Sequence, residues 1–354
     1  MREAKNSIRV SSDKLRIIVC KIFESVGMPE EDAFITSDSL VESDLNGVYS
    51  HGVMRVAIYV KRLELKSNES KPIIKLIKDK KGTAILDGGN GMGQVVSYKA
   101  MKIAIEKAKK YGISSIGVLN SNHNGAEAYY VKMALKHDMI GYCLSVSGRN
   151  ILAPHGGFTP LLGNNPFAIS APTKDEIPII FDMACSVAAR GWIKLALKEE
   201  INLPEGWALN IEGKPTIDPQ EAYDGSVLPI AGYKGYGLAL MISIFSAVLT
   251  GAAIAENVSD LYGYFDRKQN VGHFIGALNI EYFISLSEFK ERMDRLIRFI
   301  KTSKRFEGVE KIYLPGEIEH NTNKINLEKG IPIQIKIYEE LKNLAKKYNI
   351  KWEI

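Results

Sequence analysis

The stretch DGGNGMGQ, residues 87–94, follows a short apolar run, TAILD, and precedes an amphipathic helix, QVVSYKAMKIAIEKAKKYG. A phosphate-binding turn of a dinucleotide fold belongs at such a place. The glycines fall at 88, 89, 91 and 93, however, and Gln94 stands where a third spaced glycine would be needed. No acidic residue ends a second strand at the distance that holds a ribose. The G-x-G-x-x-G reading fails, and the stretch reads as a glycine-rich turn ahead of a helix.

Around this turn, strands and helices alternate. ISSIGVLN is a second strand candidate, residues 126–137 a helix, 140–146 a strand, and 167–170 and 178–182 further strands. That alternation predicts an α/β domain. Upstream, SSDKLRIIVCKIFESVG has helical apolar spacing and a closing glycine, and MPEEDAFITSDSLVESDLNG opens with Pro29 and acids, as helix starts do. YSHGVMRVAIYVKRLE is then expected as a third helix, with His51, Arg55 and Tyr59 stacked on one side. Two amphipathic helices near the C-terminus are expected to return and pack on these. This divides the chain into a helical domain, residues 1–80 joined by 285–354, and a central domain, 81–284.

The 354-residue chain is 45% hydrophobic and 25% charged, as soluble globular proteins are. Its net charge of +5 is spread among mixed lysines and acids. Nothing in it resembles a basic tail, zinc-ligand spacing or an aromatic RNA-binding signature, so no nucleic-acid partner is expected. Three scattered cysteines form no disulfide framework, which points to a reducing cytoplasm. The polar N-terminus lacks the apolar core of a signal peptide. YGLALMISIFSAVLTGAAIA, residues 236–255, carries no charge over the length of a membrane span. Lacking a second such segment and a flanking positive bias, it reads instead as a helix buried on all sides.

Four places could carry chemistry. Arg55 suits a bidentate grip on a carboxylate, and His51 could pass a proton to a neighbouring oxygen, a pairing that fits a 2-oxo acid. The loop NSNHNG sets His123 and Gly125 at a strand end, where α/β sheets open onto crevices. Asp182 ends an apolar strand and either orients a histidine or caps the next helix. AGYKGYGL places Lys234 at a helix entry, where it suits a bound anion or stands solvated. No nucleophile motif and no metal site appears.

Taken together, SDLNGVYSHGVMRVAIYVKRLE, LDGGNGMGQVV, NSNHNGAEAYYVKMALKHDMIGY, LGNNPFAISAP, DMACSVAARG, PEGWALNIEGKPTIDP, GYKGYGLAL and YLPGE resemble, in order, the malate/L-lactate dehydrogenase family. Its relatives include L-sulfolactate dehydrogenase, ureidoglycolate dehydrogenase and 2,3-diketo-L-gulonate reductase. The resemblance implies an L-sulfolactate dehydrogenase-like, non-Rossmann α/β fold with a discontinuous helical domain and a smaller inserted α/β part. It implies a cytosolic homodimer that interconverts L-2-hydroxy and 2-oxo acids with NAD or NADP. Ser50 and His51 match its S-H-G motif, His51 as the acid/base, with Asp182 orienting and charging that imidazole. Arg55 and Tyr59 would hold the substrate. His123 matches a cofactor-side histidine that is the rival acid/base. Gly125, Asn165, Asp182, Met183, Ala184, Lys234, Gly316 and Glu317 would line the dinucleotide. Asn164, Cys185, Trp192 and the turn 147–150 depart from the usual pattern and leave the substrate and the choice of nucleotide open. An imine reductase acting on cyclic 2-carboxy imines is the alternative enzyme, and a cofactor-binding protein without turnover the non-enzymatic one.

Overall fold

The computed structural model describes residues 6–148 and 150–354. Arg149, in the departing turn, lies outside the described residues. Along the chain come β1 (Ser7–Val10), α1 (Ser12–Ser25), α2 (Glu30–Leu45) and α3 (Val56–Glu64). In α1 the apolar positions Leu15, Ile18, Val19, Ile22 and Phe23 form one buried stripe, and α2 starts with Glu30, Glu31 and Asp32 against its positive end.

The central unit follows: β2 (Lys75–Lys80), β3 (Thr83–Asp87), α4 (Gly93–Tyr111), β4 (Ile113–Ser121), α5 (Ala128–Leu135), β5 (Met139–Ser145), β6 (Phe167–Ala171) and β7 (Ile179–Met183). A small inserted part carries α6 (Arg190–Glu199), β8 (Ala208–Leu209), β9 (Pro215–Thr216), α7 (Pro219–Asp224) and β10 (Ser226–Val227). Then come α8 (Tyr233–Ser243), β11 (Val271–Asn279), α9 (Leu286–Lys301), α10 (Glu317–Lys329), β12 (Ile331–Gln334) and α11 (Ile335–Lys347).

The seven-stranded sheet runs in the order β2-β3-β4-β11-β5-β6-β7, and only β3 and β4 are parallel. A dinucleotide fingerprint needs a parallel βαβ frame on both sides of its switch point. Here β11 lies antiparallel between β4 and β5, which accounts for the failed glycine test. At the chain ends, β1 pairs antiparallel with β12, and Ile331, Ile333, Leu341 and Ala345 share a core with α1, α2 and α3. Elsewhere, α9 sits against the turn at 174–176, where Asp294 accepts the Lys174 and Asp175 N–H groups.

Two expectations are corrected. The apolar segment is α8 followed by a π-turn, Ile244–Val248, and it is not buried on all sides: Leu238, Met241, Phe245, Val248 and Leu249 are exposed. Among the described residues no helix is long and apolar enough to cross a membrane. The stretch around His51 is not one helix either. Tyr49–His51 and Val53–Arg55 are two short 3-10 turns separated by Gly52, and α3 starts only at Val56.

The break has a local cause. The buried Asp44 carboxylate accepts the Val53 N–H at 2.8 Å, and it fills the space beside Gly52. A Cβ at position 52 would lie 1.8 Å from Asp44 Oδ1. Gly52→Ala is therefore expected to cost about 2–3 kcal/mol in urea unfolding and to abolish turnover, by displacing the turn that carries His51.

Candidate active site

The broken stretch still brings its three polar residues together. Ser50 Oγ lies 3.0 Å from His51 Nδ1, and Arg55 Nε donates to the Ser50 carbonyl at 2.7 Å. That bond folds Arg55 back over the turn, leaving its two terminal nitrogens for a ligand. One turn into α3, buried Tyr59 places its hydroxyl 2.7 Å from His123 Nδ1. The imidazoles of His51 and His123 stack at 5.8 Å with planes 11° apart.

Sequence-distant elements hold His123 there. Gly93 opens α4 beneath its loop, where a Cβ would meet the Asn122 carbonyl at 2.1 Å. Asn122 Nδ2 donates to the Gly91 carbonyl, and Gln269 Oε1 accepts the His123 N–H at 3.2 Å. The glycine-rich turn therefore seats the histidine loop. Gln94, Gln269 and Tyr262, whose ring lies 5.4 Å from the Arg55 guanidinium carbon, escaped the sequence reading. Gln94 alone left a signal, as the residue in the missing glycine's place. Among the described residues, its buried amide nitrogen and oxygen have no hydrogen-bond partner.

Burial, and then the Arg55 charge, pull the His51 pKa down to about 3. The same two causes hold His123 well below its ordinary value. Both rings are neutral at neutral pH. Burial pushes the Tyr59 phenol up to about 12, so it stays protonated beside His123 Nδ1.

The other expected residues are dispersed. Asp182 does not reach His51: its carboxylate accepts the Ala128 N–H at 2.8 Å, at the start of α5, so it serves as a cap. Burial raises its pKa to about 6. The Asn165 amide donates to the Ala239 carbonyl and to Ser243 Oγ, tying α8 to the sheet. Glu317 is buried, accepts the Leu314 N–H and pairs with Lys311 and Lys301, so its carboxylate is already engaged. Gly316 packs against Ile180 on β7, and Gly125 lies over Gln94. Lys234 is exposed in the first turn of α8. Cys185 is buried, with its thiol 3.2 Å from the Asn165 carbonyl, and Asn164 accepts the Cys185 N–H. Among the described residues no group of three or more acids, histidines or cysteines could hold a metal.

Met183 and Ala184 line a hollow of about 680 Å³ with Phe181, Ser186, Trp192 and Trp207. A second hollow of about 510 Å³ adjoins it across Val187. Neither includes the imidazoles; the Asp182–Ala128 bond links the strand along the first hollow to the helix that follows the His123 loop. Ser186 Oγ in the first hollow is buried without a hydrogen-bond partner among the described residues. Apolar walls, two indoles and an orphaned hydroxyl suit a flat heteroaromatic group with polar edges.

The buried groups set opposite pH limits on stability. Histidines held neutral in the fold bind protons once unfolded, so their contribution is lost as pH falls below about 6.5. Burial raises Asp44 and Glu127 to about 8, so each keeps a proton in the fold that the unfolded chain releases near pH 4, and stability declines as pH rises towards 8. The urea midpoint is expected to fall between pH 6.5 and 8, and Asp44→Asn to make that fall shallower; an unchanged slope in the variant would refute the assignment.

A malate/L-lactate dehydrogenase family model matches residues 10–342. The malate dehydrogenase of Pyrococcus abyssi is 41% identical over 355 residues, covering 98% of this chain and 97% of that protein. Sulfolactate dehydrogenase from Methanocaldococcus jannaschii superposes with a TM-score of 0.92 at 37% identity, covering 98% of each chain. The delta1-piperideine-2-carboxylate reductase of Pseudomonas syringae superposes at 0.86 with 26% identity, covering 96% of this chain and all of that one. The mixed sheet, the paired histidines and these likenesses agree: the chain belongs to the malate/L-lactate dehydrogenase family and is a hydroxy acid dehydrogenase.

Proposed function

We propose that the protein interconverts a small L-2-hydroxy acid of the malate, lactate or sulfolactate type and its 2-oxo acid, using NAD or NADP. The observation that carries this reading is one guanidinium set against two neutral, stacked imidazoles. Arg55 grips the substrate carboxylate through its terminal nitrogens, which turns the adjoining C2 oxygen towards the imidazoles. His51 takes the hydroxyl proton in oxidation and returns it to the ketone oxygen in reduction. Its neutral state in the free protein suits the base role. In reduction, the substrate carboxylate offsets the Arg55 charge and eases protonation of the ring. Exposed Ser50 on His51 Nδ1 gives that ring a path to water, whereas His123 is backed by buried Tyr59. This difference favours His51 over His123, which we assign to positioning.

The hollow along Met183, Ala184 and Ser186 would receive the nicotinamide cofactor, which supplies or takes up the hydride at C2 when bound. Gly125, Lys234 and the Gly316 turn would border the rest of the dinucleotide. The exposed apolar face of α8 supports a homodimer, since such patches mark interfaces. Three free cysteines suit a reducing cytoplasm.

A steady-state screen crossing NADH and NADPH with pyruvate, oxaloacetate, sulfopyruvate and a cyclic 2-carboxy imine tests the substrate class. His51→Ala is expected to lower kcat by about 10²–10⁴ with the cofactor KM intact. If His123→Ala alone did so, the acid/base role would pass to His123. Turnover confined to the imine would replace the hydroxy acid reading.

A further inference from the structure

Arg62 lies on α3, two turns beyond Arg55 and on the same side. It is fully buried, with the Asp260 charge near enough to favour its cationic form, and its described hydrogen bonds go to neutral oxygens. Its Nε donates to Asn68 Oδ1, Nη1 to the carbonyls of Leu261 and Tyr264, and Nη2 to that of Arg267. Three of these four acceptors belong to one loop, residues 259–269. A buried guanidinium left without acceptors is costly, so the loop and the arginine hold each other in place. Gln269 closes the loop by donating to the Ser259 carbonyl, and its other amide atom accepts the His123 N–H. Asp260 accepts the Tyr262 N–H at 2.8 Å and fixes the turn that presents Tyr262. The Tyr262 ring then faces the Arg55 guanidinium at 5.4 Å.

We propose that Tyr262 is a positioning residue for Arg55, and that Arg62 holds it there through the 259–269 loop. The inference rests on Arg55 being the carboxylate clamp. An arginine tethered only through Nε still swings about its long stem. An aromatic face restrains the plane of the cation without consuming an N–H donor, whereas an acidic partner would compete with the substrate. The terminal nitrogens would then stay available to a carboxylate. The loop also touches the backbone of His123, so one element aligns both sides of the pocket.

The test is steady-state kinetics on Tyr262→Ala, Tyr262→Phe, Arg62→Lys and the Arg62→Lys/Tyr262→Ala double variant, with oxamate binding by calorimetry as a readout independent of turnover. Tyr262→Ala is expected to raise the KM for the 2-oxo acid and the Kd for oxamate about tenfold. The cofactor KM and the urea midpoint should stay near those of the parent, and Tyr262→Phe should restore substrate binding. Arg62→Lys should reproduce the substrate defect, and the double variant should be no worse than the poorer single one. If Arg62→Lys does not fold, the exposed Tyr262 variants decide. A Tyr262→Ala enzyme with parental substrate KM, or one weakened equally towards substrate and cofactor, would overturn the proposal alone. A parent that neither turns over a 2-oxo acid nor binds oxamate would overturn the clamp reading and this proposal with it.

Discussion

A buried carboxyl group occupies the space that a side chain at position 52 would take. Asp44 sits near the end of α2, accepts the Val53 N–H, and leaves room only for glycine beside it. The helical period is broken there, and the chain makes two tight turns before α3 begins. Because of that break, His51 turns to lie flat against His123 while Tyr59 approaches the same ring from another side. A continuous helix would have ranged His51, Arg55 and Tyr59 along one line. The bend instead gathers them round a common centre.

Exclusion of water then sets the chemistry. Two histidines that would be partly charged in solution are neutral here, and beside them stands the Arg55 cation, whose Nε is held by a backbone carbonyl. Such a site is short of negative charge, which an incoming carboxylate would supply. On the proposed reading, substrate binding and proton affinity are coupled: a carboxylate on Arg55 would also make the neighbouring imidazole easier to protonate.

Local pattern revealed what local pattern controls. The β3–α4–β4 unit and strands β5, β6 and β7 could be read within a few residues because their apolar runs end at glycines or polar turns. The central strand β11 was missed, since VGHFIGALN carries two glycines and a histidine and looks like a loop. His273 is tolerated there only because Ser145 and Ser121 meet its two ring nitrogens. Asp182 was given the wrong neighbour because its partner, Ala128 N, is 54 positions away and belongs to the backbone. The apolar run of α8 reads as interior because hydrophobicity alone does not say what covers a surface. His51, Arg55 and Tyr59 stand out by residue type, although the helix expected to carry all three begins only at Val56 and holds Tyr59 alone of them.

The place of β11 bears on how the molecule is made. It bridges β4 and β5, so the two halves of the sheet have no shared hydrogen bonds until residue 279 has been synthesised. The β1–β12 pair closes later still, after almost the whole chain has emerged. Assembly dominated by partners so remote in sequence is slow, and the nascent chain carries two open sheet edges while it waits on the ribosome.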